Sequence, residues 1–223
     1  MLLVLCITEP PASLERPKKW AQDFKEVLFA TLVRDTVTRL VFLNLVVWGS
    51  GALVMFWVNQ KYWQETGVPL AWFGVLLAGY NLIDGFAARS AALGVTRYGR
   101  RPLLAAVGLL PIIAYFGMAS FLGWGGILFG CLFKVGRGLG EVLFLGSLNE
   151  RISSAFRATV ISLAQLGIRA SFCLLGPLVG YGIDAWGLPF VLSALGILFS
   201  IAFVYLLLPL VLRETALTTK EAT

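Results

Sequence analysis

Long apolar runs recur along the chain, each close to the roughly 20 residues that a helix needs to cross a bilayer, and each is closed by glycine, proline or charge. The pattern predicts six helical spans: Leu40–Val58, Leu70–Leu93, Leu103–Leu122, Gly126–Leu148, Thr159–Tyr181 and Leu188–Leu208. The intervals between them are 59–69, 94–102, 123–125, 149–158 and 182–187. Ahead of the spans, Met1–Ile7 is apolar but only about a third of a crossing in length, and reads as the tail of a helix that begins upstream. Glu15, Arg16, Lys18 and Lys19 then form a charged linker. Phe24, Val27, Leu28 and Leu32 recur at helical spacing, either as a helix lying on a membrane surface or as an extension of the first span. The chain thus divides into residues 1–37, a six-helix bundle over 38–210 and a tail over 211–223.

The fourth span differs from the others. Lys134, Arg137 and Glu141 fall on one stripe of a helix and place three charges at membrane depth. Charges in hydrocarbon are costly and persist where they face protein or water, so the stripe is either part of a solute pathway or a structural ion-pair network. Asp84 and Arg89 on the second span and Arg169 on the fifth join it, whereas the third and sixth carry no charge. That rhythm predicts two three-helix repeats, with the third and sixth spans toward lipid and the charged spans around a cavity. At about 1.5 Å per residue, Asp84 and Arg137 lie on nearly one level, roughly 20 Å from the outer face, and are expected to pair. Arg169 falls about 16 Å from the inner face by the same arithmetic. With Arg89 included the set is positive in excess, balanced either by an anionic solute or by an acidic side chain of a companion bundle. Asn81 and Gln165 sit one turn before Asp84 and Arg169 as supporting polar partners. A carboxylate whose charged form is disfavoured by hydrocarbon suits uptake and release of a coupling proton, which makes Asp84 and Glu141 the candidates.

Composition narrows the class. The 223 residues are 58% hydrophobic and 13% charged, with a mean hydropathy of +0.84, too apolar for an ordinary soluble domain. The net charge of +6 is spread between apolar spans, not gathered into a stripe, so it marks topology and not nucleic acid. Basic residues concentrate before the first span, in the second and fourth connections and in the tail, which puts both termini in the cytoplasm. With no histidine, and with Cys6, Cys131 and Cys173 isolated in apolar runs, neither a metal site nor a histidine-activated nucleophile is available, so neither an enzyme nor a cofactor is expected. Trp57, Trp63, Trp72, Trp124 and Trp186 read as anchors at the outer interface. The pairs Gly136/Gly140 and Gly176/Gly180 permit close helix approach, and Pro177 is a candidate kink.

Ala92-Leu93-Gly94-Val95-Thr96-Arg97-Tyr98-Gly99-Arg100-Arg101 resembles the loop signature of the major facilitator superfamily, with Thr96 in place of its acid and Ala92 in place of its first glycine. Arg157-Ala158-Thr159, followed by Gln165, Arg169, Gly176-Pro177-Leu178-Val179-Gly180 and Asp184-x-x-Gly187, looks like the tenth-to-eleventh helix region of that family. Ile7-Thr8-Glu9-Pro10 is similar to the end of a sixth helix and Arg34-Asp35 to the start of a seventh. The resemblance implies the C-terminal half of a twelve-helix, proton-coupled secondary transporter of the inner membrane. By that analogy the first and fourth spans bring Asn44, Trp48, Lys134, Arg137 and Glu141 to a central solute site. The second and fifth, with Asp84 and Arg169, flank it against the other half, and Arg97, Gly99, Arg100 and Arg101 form a cytoplasmic gating loop. A partner half, a second copy or a longer reading frame would supply the remainder. The alternative is a non-transporting membrane protein that works by association.

Overall fold

The computed structural model describes residues 35–213, and within them every regular element is helical. Helix α1 is Thr36–Glu65, a short 3-10 turn at Leu70–Trp72 leads into α2, Phe73–Tyr98, and α3 is Arg100–Ser120. Helix α4 is Trp124–Arg151, α5 is Ser154–Trp186, and α6 is Leu188–Arg213 with a π-helical turn at Phe203–Leu207. Five of the six, all except α4, are long and apolar enough to cross a membrane. The expected linker, surface helix and tail fall on 1–34 and 214–223, outside the described residues.

The helices outrun their apolar segments. Helix α1 passes through the expected break and ends only at Glu65, where Thr66 turns its hydroxyl back to the carbonyls of Tyr62 and Trp63. The anticipated connection at 94–102 shrinks to Gly99, whose φ of +83° is open to glycine and strained for other residues. An equivalent joint, Gly187 at φ +83°, separates α5 from α6. Helix α5 runs unbroken through Pro177. At the start of α1, Asp35 accepts from the backbone N–H of Val37 at 3.0 Å and of Thr38 at 3.2 Å, and from the Thr38 hydroxyl, so the first turn is capped by its own sequence.

Helix α4 is the centre of the bundle and packs along α1, α2 and α3, while α6 lies chiefly on α3 and α5 closes against α1. Glycine makes the approaches possible. A methyl group at Gly136 would stand 2.8 Å from the Pro111 ring, and one at Gly140 would stand 2.9 Å from Val107, both on α3. At Gly138 it would run into the backbone carbonyl of Asp84 on α2. The second glycine pair does not work this way, because Gly180 faces open space. Two ring clusters fill the interior. Trp48, Tyr115, Phe133 and Phe199 join α1, α3, α4 and α6, with Tyr115 and Phe199 at 5.3 Å. Trp63, Phe73 and Tyr80 pack near the opposite end. Trp63 is therefore a core residue and not an anchor, at 1% exposure, whereas Trp57, Trp72, Trp124 and Trp186 are exposed.

Within the bundle the third and sixth spans, expected to face lipid, are better covered than the second and fifth. Their apolar stretches are 44% and 33% buried, because α3 and α6 pack on each other, against 11% for α2 and 17% for α5. The barest helices are two that carry charge.

Two outcomes follow. Gly138→Val is expected to force α2 from α4 and destabilise the bundle by about 2 kcal/mol in detergent unfolding, whereas Gly146→Ala, with nothing within 4 Å of the added methyl, is tolerated and stabilises by up to about 1 kcal/mol through helix propensity. Partial burial raises the Asp35 carboxyl, but the Thr38 hydroxyl, the two N–H groups and Arg151 outweigh it and hold Asp35 below its ordinary value of 3.8. Its cap is worth about 1 kcal/mol, complete above that value and lost as pH falls through the lowered one, so Asp35→Ala matters at neutral pH and not in strong acid.

Candidate functional site

Halfway along the bundle α1, α4 and α5 line a partly open cavity of about 340 Å³. Helix α4 contributes Lys134, Arg137, Glu141, Phe144 and Leu145, with Gly136 and Gly140 forming bare backbone between them. The other walls are Leu45, Trp48, Gly49, Ala52, Leu53 and Phe56 of α1, Gln165, Ile168 and Arg169 of α5, and Asn81 at the edge of α2.

Arg137 organises the charges. Its guanidinium donates to Asp84 of α2 through Nη1 and to Glu141, one turn along its own helix, through Nη2 at 3.1 Å. The expected pairing across the two helices is therefore present. Asp84 is the more enclosed partner, with its side chain 14% exposed against 35% for Arg137 and 53% for Glu141. Its second oxygen, Oδ1, is buried and has no hydrogen-bond partner among the described residues. Lys134 is nearly buried, and its ammonium donates to Asn81 Oδ1 at 3.4 Å. Asn81 thus serves Lys134 and not Asp84. Arg169 and Gln165 both line the cavity, but no bond joins them, and Arg169 meets no carboxylate among the described residues. Arg89 is exposed and stands outside the lining.

The two α1 candidates separate. Trp48 donates its ring N–H to the Val107 carbonyl at 2.9 Å, which fixes the indole with one side toward the cavity. Asn44 does not reach it. Its amide is fully buried and donates to the carbonyls of Leu40 at 2.7 Å and Leu206 at 3.0 Å, tying α1 to the π-helical turn of α6. The apolar wall formed by Gly49, Ala52, Leu53 and Phe56 was missed by reading charges alone, although it extends the Leu45–Trp48 stripe at helical spacing.

At the end of the bundle where α1 starts, a second set of charges ties the helices together. Arg100 reaches Glu150 at 3.3 Å and Ser147 Oγ, Arg151 stands 4.0 Å from Asp35, and Arg157 donates to the Asn149 carbonyl at 2.8 Å. Of the predicted loop, Arg100 therefore grips α4, Gly99 makes the turn, Arg97 lies over its neighbour Tyr98 at 5.5 Å, and Arg101 is exposed.

No family model, curated protein or solved structure matches the chain. The site is therefore read from its own geometry.

The central pair lies between the buried and exposed limits. Removing its carboxylate in Asp84→Ala is expected to destabilise the bundle by about 2 kcal/mol, with part of the loss recovered in the double variant Asp84→Ala/Arg137→Ala, whereas Glu141→Gln costs about 0.5 kcal/mol. Thermal unfolding of the unaltered chain, Asp84→Ala, Arg137→Ala and the double variant in one detergent measures the coupling.

Proposed function

We propose that the chain is a six-helix half of a secondary carrier of the major facilitator type, set in the plasma membrane with both ends cytoplasmic, and that the cavity is its half of an alternating-access solute site. One observation carries the reading: charges of both signs converge from α2, α4 and α5 on one cavity midway along helices of membrane-spanning length. A bundle that merely sits in lipid gains nothing by gathering them there.

The arrangement of helices supports the repeat. Exchanging α1–α3 with α4–α6 maps the α2–α4 packing onto α5–α1, and α2–α3 onto α5–α6. The single-glycine joints Gly99 and Gly187 also exchange, and they lie at opposite ends of the bundle, as inverted repeats require. The symmetry is incomplete, since α3 meets α4 along its length while α6 meets α1 mainly through its π-helical turn.

The sparse cover on α2 and α5 supports a companion bundle. Asn81, Asp84 and Arg89 share α2 with exposed Leu82 and Phe86, and Gln165 and Arg169 share α5 with exposed Leu166 and Leu174. A mixed surface of this kind is unfavourable against hydrocarbon and favourable against a second six-helix unit, another half or a second copy. In that setting Asp84 is the first proton-carrying candidate, because its Oδ1 is buried without a donor, and Glu141 is the second. Movement of a proton onto Asp84 weakens its hold on Arg137 and frees α2 to shift against α4. A second reading, association without transport, draws on the exposed apolar faces of α2 and α5 but gives the central charges no task.

Alternating access has a test that needs no known solute. In a variant with Cys6, Cys131 and Cys173 replaced and a cysteine introduced at Gln165, an impermeant maleimide is expected to label from either side of proteoliposomes, the ratio changing with an imposed pH gradient. Asp84→Asn is expected to abolish that change. Labelling from one side alone under every gradient sinks the carrier reading.

A further inference from the structure

We infer that the cavity binds a small organic monoanion, its carboxylate held by Lys134 and Arg169 and its apolar body laid against Trp48, Phe56 and Phe144. The inference rests on the reading of this cavity as a solute site and names the class of solute.

Charge comes first. Five groups count: the cations Lys134, Arg137 and Arg169 and the anion Glu141 line the cavity, and the anion Asp84, outside the lining, is bonded directly to Arg137. Arg137 is shared by both carboxylates, and the cations still outnumber them three to two. Lys134 has only the neutral Asn81 oxygen at 3.4 Å, and Arg169 has no carboxylate among the described residues. One positive charge is left over in a setting where an uncompensated charge is costly, and one negative charge cancels it. A dianion would overshoot. The excess differs from the one expected on sequence because Arg89 stands outside the lining.

Shape gives the rest. Lys134 is 8% exposed and sits deep in the cavity, whereas Arg169 is exposed at its edge. Both line the one cavity. The volume of about 340 Å³ lies near the lower end of sites that hold small organic ligands. Trp48 has spent its N–H on the Val107 carbonyl and offers only a ring face, and Phe56, Phe144, Leu53 and Ile168 add further apolar wall. A lining that holds both cations and aromatic rings matches a carboxylate attached to a ring or short chain. An anionic lipid headgroup shares the head chemistry and has to be separated by experiment.

The probe is radiolabelled benzoate, bound at equilibrium to the purified full chain in phosphatidylcholine nanodiscs. Saturable binding is expected, with neither benzamide nor benzylammonium displacing it. Lys134→Gln and Arg169→Gln should each weaken it about tenfold or more, as loss of a charge-assisted hydrogen bond does, and Arg213→Gln should leave it unchanged. Monodisperse elution and an unchanged helical circular dichroism spectrum keep a folding defect from passing as lost binding, and Arg169→Lys should restore part of the affinity. Displacement by benzamide as effective as by benzoate itself, or unaltered binding in both glutamine variants, overturns the inference. Loss of benzoate binding when phosphatidylglycerol replaces part of the lipid assigns the cavity to a headgroup and also overturns it. Selective benzoate binding without uptake into proteoliposomes leaves the anion site standing and removes the carrier. Uptake of an amine without benzoate binding does the reverse.

Discussion

A guanidinium held between two carboxylates in the middle of the central helix determines how this bundle is arranged. Arg137 cannot face hydrocarbon at low cost, so α4 must be surrounded, and α1, α2 and α3 pack along it. Each neighbour meets a different face. Gly136 and Gly140 receive Pro111 and Val107 of α3, Gly138 receives the backbone of α2, and Lys134, Arg137 and Glu141 look into the cavity beside α1 and α5. The glycines matter to the ion pair itself, because Asp84 reaches Arg137 only when α2 lies close enough for its carbonyl to touch Gly138.

The same constraint separates rigid from yielding parts. Helices α3, α4 and α6 share the Tyr115, Phe133 and Phe199 rings with Trp48 of α1, an interdigitated block. Helices α2 and α5 hold on by less apolar area, α2 through the polar contacts of Asp84 and Asn81 and α5 through its packing on α1. Contacts made through charge respond to protons and ions in a way that ring packing does not. The elements best placed to move are thus those whose attachment is chemical more than volumetric.

Six helices were legible in the chain because apolar length is a strong signal, and the Asp84–Arg137 pair because helical rise converts residue number into depth. Ends were not. Helix α1 outlasts its apolar stretch by more than a turn, since nothing before Thr66 and Gly67 stops it, and polar residues near a boundary are as content in a helix as out of one. The packing of α3 on α6 was not legible, because the absence of charge does not tell lipid from protein when both are apolar. Trp63 and Asn44 went astray for a related reason. An indole suits an interface or a core, and a buried amide suits a cavity or a carbonyl on the next helix, so position along the sequence does not choose between them.

The wide turn at Phe203–Leu207 gives the last helix a fixed phase. A π-helical turn carries one residue more than regular winding allows, and its displaced Leu206 carbonyl is met by the Asn44 amide of α1. Removing a single residue there would restore ordinary winding, yet it would turn everything beyond by about 100° and carry Leu207, Leu210 and Val211 off the core. The irregularity therefore works as a key: it sets which side of the chain's final turns meets its neighbours, and an insertion or deletion that looks harmless in an apolar stretch would unlock it.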